Sequence, residues 1–259
     1  MPKPKVLITG ASGLIGRLTI AGLADRYEFS GLNRRAVQGI PCLQADIADA
    51  EAIKPAFRGM DMVLHLSAYT GEDNWEDTMA VTVMGTLNVF RAAQEAGVKR
   101  VVFMSTGSTM CGYEWDDYKP YGKLARGEYD QAGATWPLIS YRDPPRPDSR
   151  YGVGKIFGEA CGRWFADKYG MSVLCIRLGA VLDTDRPKLI RHFPGYLSQA
   201  DAVQIIDKCL AAPLSLEYGV FDAISENKYR WRDTSPAKEI LGWRPTGTSD
   251  RFDPEEYRQ

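Results

Sequence analysis

Short, continuously apolar runs alternate with amphipathic stretches along most of this chain. Lys5–Thr9 (KVLIT) reads as a strand buried on both faces. Past the glycines at 10, 13 and 16, Leu18, Ile20 and Leu23 continue as a helix up to Asp25 and Arg26. Residues 27–32, 41–45 and 62–66 read as a second, third and fourth strand, and a helix over 50–57, interrupted by Pro55, lies between the last two. The pattern over 75–96 is helical, with Val83, Leu87 and Phe90 near one face and Gly97 just past the end as a cap. A fifth strand is expected at 101–104. Arg150–Tyr169 follows as an amphipathic helix with Ile156, Phe157, Ala160, Cys161, Trp164 and Phe165 at i, i+1, i+4, i+5 spacing, and Ser172–Leu178 as a sixth strand. Near the end, Ser235 and Pro236 open a helix that Gly242 stops.

Apolar strands alternating with helices imply an α/β fold: a Rossmann-like, doubly wound parallel sheet covered by helices on both faces. Residues 1–180 read as a dinucleotide-binding domain, and 181–259 as a small carboxyl-terminal substrate-binding region packed on the same domain and covering the site. The rhythm breaks at 112–149, which holds Tyr113, Trp115, Tyr118, Tyr121, Trp136 and Tyr141. So long a loop is usually functional or disordered, and its aromatic content argues against disorder. It is either a lid or substrate wall, or an insertion packed on the surface.

Composition narrows the partners. Hydrophobic content of 44% and charged content of 25% in 259 residues are ordinary for a globular enzyme. A formal net charge of −1 gives no electrostatic case for nucleic acid or an anionic membrane. No apolar run approaches the roughly 20 residues of a membrane span. The amino terminus, MPKPK, shows no secretory signal, so a cytoplasmic protein is expected. Five cysteines without CxxC spacing and two lone histidines, His65 and His192, offer no metal site. The expected partner is a small-molecule substrate, and a homo-oligomer stays open.

The candidate chemistry is concentrated in three places. Gly10, Gly13 and Gly16 lie between a strand and a helix, with Ser12, Leu14 and Ile15 among them. One glycine permits a tight turn, one lets the backbone approach pyrophosphate, and one lets helix and strand pack closely. The helix start adds N–H groups and partial positive charge for phosphates. Strand two ends in Asn33-Arg34-Arg35, without the carboxylate that would accept a ribose 2′-hydroxyl. The arginines are either solvated or placed to pair with a 2′-phosphate, so NADP is the expected cofactor and NAD the alternative. Asp46, with Ile47 beside it, is expected to accept the adenine amino group, and Leu66, Ser67 and Ala68 to line the loop under the cofactor.

Tyr151 and Lys155 at i, i+4 share a helix face. A free tyrosine titrates near about 10, and the lysine ammonium with an oxidised nicotinamide is expected to lower that value. Lys155 would also hold the nicotinamide ribose. A hydroxyl from Ser105 or Thr106 would orient the substrate oxygen while Tyr151 takes its proton.

Together these pieces resemble the extended short-chain dehydrogenase/reductases of the epimerase/dehydratase-like branch. The matching segments are Gly10-xx-Gly13-xx-Gly16, Asp46, His65 to Ala68 (HLSA), Gly85-Thr86, Phe103 to Thr106 (FMST), Tyr151-xxx-Lys155 and Leu241 to Pro245 (LGWRP). The resemblance selects Thr106 as the catalytic hydroxyl, with Tyr151 and Lys155. In size and tail the chain is most similar to uronate dehydrogenases, which oxidise sugar acids with NAD. That likeness implies Thr70, Thr106, Gly107, Ser108 and Arg191 as substrate contacts, with Arg191 receiving a carboxylate; alternatively Arg191 is a surface charge or pairs with an acid. The chain departs from it at Gly107-Ser108, Ala180, Thr82 and Asn33-Arg34. The implied function is an NAD(P)-dependent oxidoreductase moving hydride between nicotinamide C4 and a hydroxyl or carbonyl carbon of a sugar, sugar acid or similar small molecule. An aromatic carbonyl would also suit the long loop. Alternatives are a sugar epimerase or dehydratase with tightly held cofactor, and a non-catalytic NADP-binding regulator.

Overall fold

The computed structural model describes residues 2–71 and 74–257; Met1, which begins the amino-terminal stretch read above, lies outside them. β1 (Lys5–Thr9) leads through a glycine turn into α1 (Leu14–Leu23), followed by β2 (Glu28–Asn33), β3 (Cys42–Gln44), α2 (Ala50–Ile53) and β4 (Met62–His65). The helix expected over 50–57 divides at Pro55, with a 3-10 turn over Lys54–Phe57, because the proline ring removes a backbone donor. The long helical run divides as well, into α3 (Trp75–Asp77), a π-helical stretch (Thr78–Gly85) and α4 (Thr86–Glu95). Then come β5 (Arg100–Thr106), α5 (Pro120–Ala125), α6 (Arg150–Tyr169), β6 (Ser172–Leu178), α7 (His192–Gly195), α8 (Gln199–Ala211), β7 (Tyr218–Ala223) and α9 (Ser235–Leu241).

The strands form one all-parallel sheet in the order β3-β2-β1-β4-β5-β6-β7. Strand order reverses between β1 and β4, which opens a crevice at their carboxyl ends. α8 and β7 go beyond the six strands expected. α8 has a plain helical stripe, burying Ala202, Ile205, Ile206, Cys209 and Leu210 at i, i+3, i+4, i+7, i+8 spacing. β7 is harder to see, because Gly219 and Asp222 interrupt its apolar run; Asp222 is buried beside Arg177, its partner in register on β6.

Alternation along the strands divides the core in two. Val6, Ile8, Val102, Leu174 and Ile176 face α1 and α8 on one side of the sheet. Leu7, Val101, Phe103, Val173 and Cys175 face α4 and α6 on the other. The 112–149 segment has a small core of its own, in which Met110, Tyr113, Tyr121 and Leu124 pack on Trp231 from the carboxyl-terminal region. The Tyr121 and Trp231 rings lie 5.4 Å apart, so most of the aromatic content holds the segment in place, and only Trp115 and Tyr118 stand well out.

α6 is set unusually close to the sheet. Ser149 caps it by accepting from the Gly152 N–H, and Gly170 ends it in a left-handed turn. Midway along, a Cβ added to Gly158 would fall 2.2 Å from the Phe103 ring on β5, so no larger residue fits unless the helix moves. Gly158→Ala is therefore expected to destabilise the fold by about 1–3 kcal/mol in urea unfolding, with Phe103→Leu recovering part of the loss. An unchanged midpoint would show that α6 is free to shift.

Candidate active site

The crevice at the strand ends is a cleft of about 500 Å³. Gly10, residues 12–16, Asn33, Arg34, Asp46, Ile47 and Leu66 to Ala68 all line it. Arg35 does not: it is exposed, and its carbonyl accepts from Asn33 Nδ2 at 2.8 Å while Asn33 Oδ1 accepts from Ser12 Oγ at 3.2 Å. Arg34 is exposed as well, but lies on the rim that lines the cleft. Asp46 Oδ1 accepts the Ala48 N–H at 2.9 Å, and Asn88 on α4 donates to the carbonyls of Ile47 and Ala48, which ties this wall to the helix layer.

The cradle fits a dinucleotide. Gly13 caps α1 and has no side chain, so the first N–H groups of the helix meet no competing acceptor on the cap residue. Gly10 sits at φ +72°, and a Cβ there would fall 3.0 Å from the Ser67 backbone nitrogen and fill the turn. Beneath it, His65 is wholly buried, with Nδ1 2.7 Å from Thr9 Oγ1 and Nε2 3.1 Å from Thr86 Oγ1. Thr9 Oγ1 also accepts the Ser67 N–H at 3.1 Å, so one imidazole links β1, β4, α4 and the cleft floor. Burial drives the His65 pKa well below its ordinary value, and the ring serves as a neutral strut.

At the end of β5 the structure separates the two candidate hydroxyls. Ser105 points to α6 and donates to Glu159 Oε1 at 2.5 Å. The same carboxylate is gripped by Arg177 through two hydrogen bonds of 2.8 and 2.7 Å. Adjacent strand residues face opposite ways, so Thr106 turns into the cleft, where its Oγ1 accepts the Ser108 N–H at 3.2 Å. Tyr151, in the first turn of α6, lines the same cleft. Lys155 stands one turn on, buried, with Nζ 4.9 Å from the Phe103 ring centre and 5.6 Å from that of Tyr151. The expected lowering of the Tyr151 pKa by this ammonium does not occur in the protein alone. Burial pushes the phenol up to about 12, and burial likewise pulls Lys155 down to about 7.

A second cavity of about 240 Å³ adjoins the first, with Thr106, Leu178 and Gly179 lining both. Gly107, Ser108 and Arg191 line the second, whereas Thr70 lies along the first. Among the further lining residues, Glu114, Asp148, Trp231 and Arg232 were not expected there from sequence. Glu114 Oε2 accepts from Arg191 Nε, and Asp148 Oδ2 from Arg191 Nη2, each at 2.6 Å. These residues are 77 and 43 positions from Arg191, which no local spacing reveals; the one clue was that Glu114 and Asp148 lie near the two ends of the anomalous loop. Burial raises the Glu114 pKa, and Arg191 offsets part of that rise. Arg232 is neutralised by Asp222 at 2.7 Å.

The profile of the NAD dependent epimerase/dehydratase family matches residues 6–200. The chain belongs to that family. It is an enzyme of the extended short-chain dehydrogenase/reductase type. An L-arabinose 1-dehydrogenase (NAD(P)(+)) of Haloferax volcanii is 32% identical over 255 residues, covering 95% of this chain and 97% of that protein. A uronate dehydrogenase of Agrobacterium fabrum is 30% identical, covering 96% and 86%. The crystal structure of uronate dehydrogenase from Agrobacterium tumefaciens superposes with a TM-score of 0.82 at 28% identity, over 97% of this chain and 88% of that one.

The family's cleft rests here on an uncharged histidine, and that gives a pH signature. Unfolded, His65 takes a proton below about pH 6.5; folded, it resists, so the unfolded state binds more protons and stability falls with acidification. Between pH 7 and 5 the wild type should lose about 2 kcal/mol more unfolding free energy than His65→Gln. Equal losses in urea titrations would mean that the buried ring protonates in place.

Proposed function

We propose that this enzyme is a dehydrogenase that oxidises a hydroxyl of a single sugar, using NADP in preference to NAD. The observation that carries the reading is the second cavity, which meets the dinucleotide cleft at Thr106 and measures about 240 Å³. Pockets for drug-sized ligands run to about 300–1,000 Å³, so this one suits one sugar ring and leaves little space for the nucleotide of a nucleotide sugar. That disfavours the epimerase and dehydratase alternatives. The relatives' names, L-arabinose 1-dehydrogenase and uronate dehydrogenase, support the same class. Free thiols at Cys42, Cys111, Cys161, Cys175 and Cys209 fit a reducing, cytoplasmic setting.

Thr106 donates a hydrogen bond to the substrate oxygen and holds it toward Tyr151. Tyr151 takes the hydroxyl proton as the carbon's C–H pair departs as hydride and the C–O bond becomes a carbonyl. The bound oxidised nicotinamide supplies the two-electron acceptor and a positive charge that favours the phenolate. Lys155 holds the ribose hydroxyls and, once hydrogen-bonded there, regains the charge that burial weakens. Ser105, fastened to Glu159, takes no part in the transfer. Arg34 pairs with the 2′-phosphate, since no carboxylate closes β2 and Arg34 lines the cleft. Asp46 receives the adenine amino group.

Tyr151→Phe should lower kcat by about 10²–10⁴-fold while cofactor affinity, read by nicotinamide fluorescence, stays within a few fold. Substantial residual turnover would remove Tyr151 as the acid/base. Because its phenol titrates high, kcat/KM for oxidation should rise with pH above neutrality. Arg34→Ala should weaken NADP binding by about tenfold and NAD binding hardly at all; equal losses would defeat the phosphate assignment.

A further inference from the structure

Arg191 is the residue a sugar acid would need, and the protein has already used it. Its Nε and Nη2 are each 2.6 Å from a carboxylate oxygen, of Glu114 and of Asp148. Those carboxylates are about nine-tenths buried, at 10% and 11% side-chain exposure, while Arg191 keeps 48%. The trio is therefore built into the wall of the cavity by its acids and is not a guanidinium resting on the surface. Two carboxylates on one guanidinium leave a formal charge of −1. Among the described residues, nothing else on the wall reverses it. Arg232 is held by Asp222 at 2.7 Å, and burial lowers the His192 pKa, which keeps that ring neutral.

We propose that Glu114 and Asp148 are specificity-determining residues, which satisfy Arg191 internally and make the second cavity select uncharged polyhydroxylated sugars over the corresponding sugar acids. An incoming carboxylate would have to displace one of two preformed, charge-assisted hydrogen bonds and then lie beside the carboxylate it displaced. A neutral sugar meets no such conflict. Each carboxylate accepts only, with about four lone-pair sites, so both can take sugar hydroxyls while still holding Arg191. The long 112–149 loop gains a role from this. Its first turn delivers Glu114, its end delivers Asp148, and the aromatic core between them fixes their separation.

This inference rests on the oxidoreductase reading for the identity of the substrate site, but binding and turnover test the two separately. Binding is measured by calorimetry without cofactor, for matched pairs: glucose and glucuronate, galactose and galacturonate, mannose and mannuronate. For at least one pair the neutral sugar should bind about tenfold more tightly than its acid. In Glu114→Gln/Asp148→Asn, which keeps the shape and removes the charge, the acid should gain about tenfold and Arg191→Ala added to it should abolish the gain. Tighter binding of the acid by the wild type, equal changes for both ligands in the variant, or no binding of any pair would each overturn the proposal. The wild-type order stands whether or not the variants fold. Adding NADP or NAD and following nicotinamide absorbance then tests the other reading: the expected binding order without hydride transfer would defeat the dehydrogenase assignment alone.

Discussion

The buried contact between Glu159 and Arg177 organises the reacting end of this protein. Glu159 lies on the inner face of α6, Arg177 within β6, and Ser105 at the end of β5 joins the same carboxylate. Both charged partners are almost fully enclosed, at 3% and 7% side-chain exposure, where removing one and leaving the other typically destabilises by about 3–5 kcal/mol. The pair fixes the height and rotation of α6 over the sheet. Gly158, against Phe103, removes the steric obstacle to that approach. Tyr151 and Lys155 lie on the same helix, so their positions follow from a contact neither of them makes. Ser105 and Thr106 both line the cleft, and the bond to Glu159 occupies the Ser105 hydroxyl.

Each side of the site then has its own electrostatic character. On the cofactor side, backbone N–H groups at the start of α1 and the Arg34 side chain offer positive potential to phosphates. On the substrate side, both arginines are bound to carboxylates, Arg191 to Glu114 and Asp148, and Arg232 to Asp222. Two cavities that share Thr106 thus differ in electrostatic character: one lined by helix-start N–H groups and Arg34, the other by arginines already paired with carboxylates. Preorganisation here comes from ion pairs complete before ligand arrives, which limits the cost of ordering side chains on binding.

Local rules made a good part of this legible. KVLIT before three spaced glycines marks β1 and the cradle, because a doubly buried strand needs an unbroken apolar run and a close phosphate turn needs residues without Cβ. α6 and β6 were bounded to the residue, since the helical spacing from Ile156 to Phe165 is long and regular. The π-helical stretch over Thr78–Gly85 was invisible, because it keeps helical periodicity well enough to pass for α-helix. β7 was missed for the opposite reason: its buried Asp222 reads as a surface residue until Arg232 is seen beside it.

Sequence by itself determined the fold class, the glycine turn between β1 and α1, and the placing of Tyr151 and Lys155 one turn apart on α6, because each depends on residues within a few positions of one another and on backbone geometry that recurs. Tertiary structure alone decided the rest. It placed Arg34 but not Arg35 on the lining of the cleft, gave Ser105 to Glu159, raised the Tyr151 phenol by burial, and closed Glu114 and Asp148 on Arg191. Those outcomes turn on which charges meet out of water after the chain has folded. A charge's worth is set by its partners and its dielectric surroundings, and neither is a property of neighbouring residues in sequence.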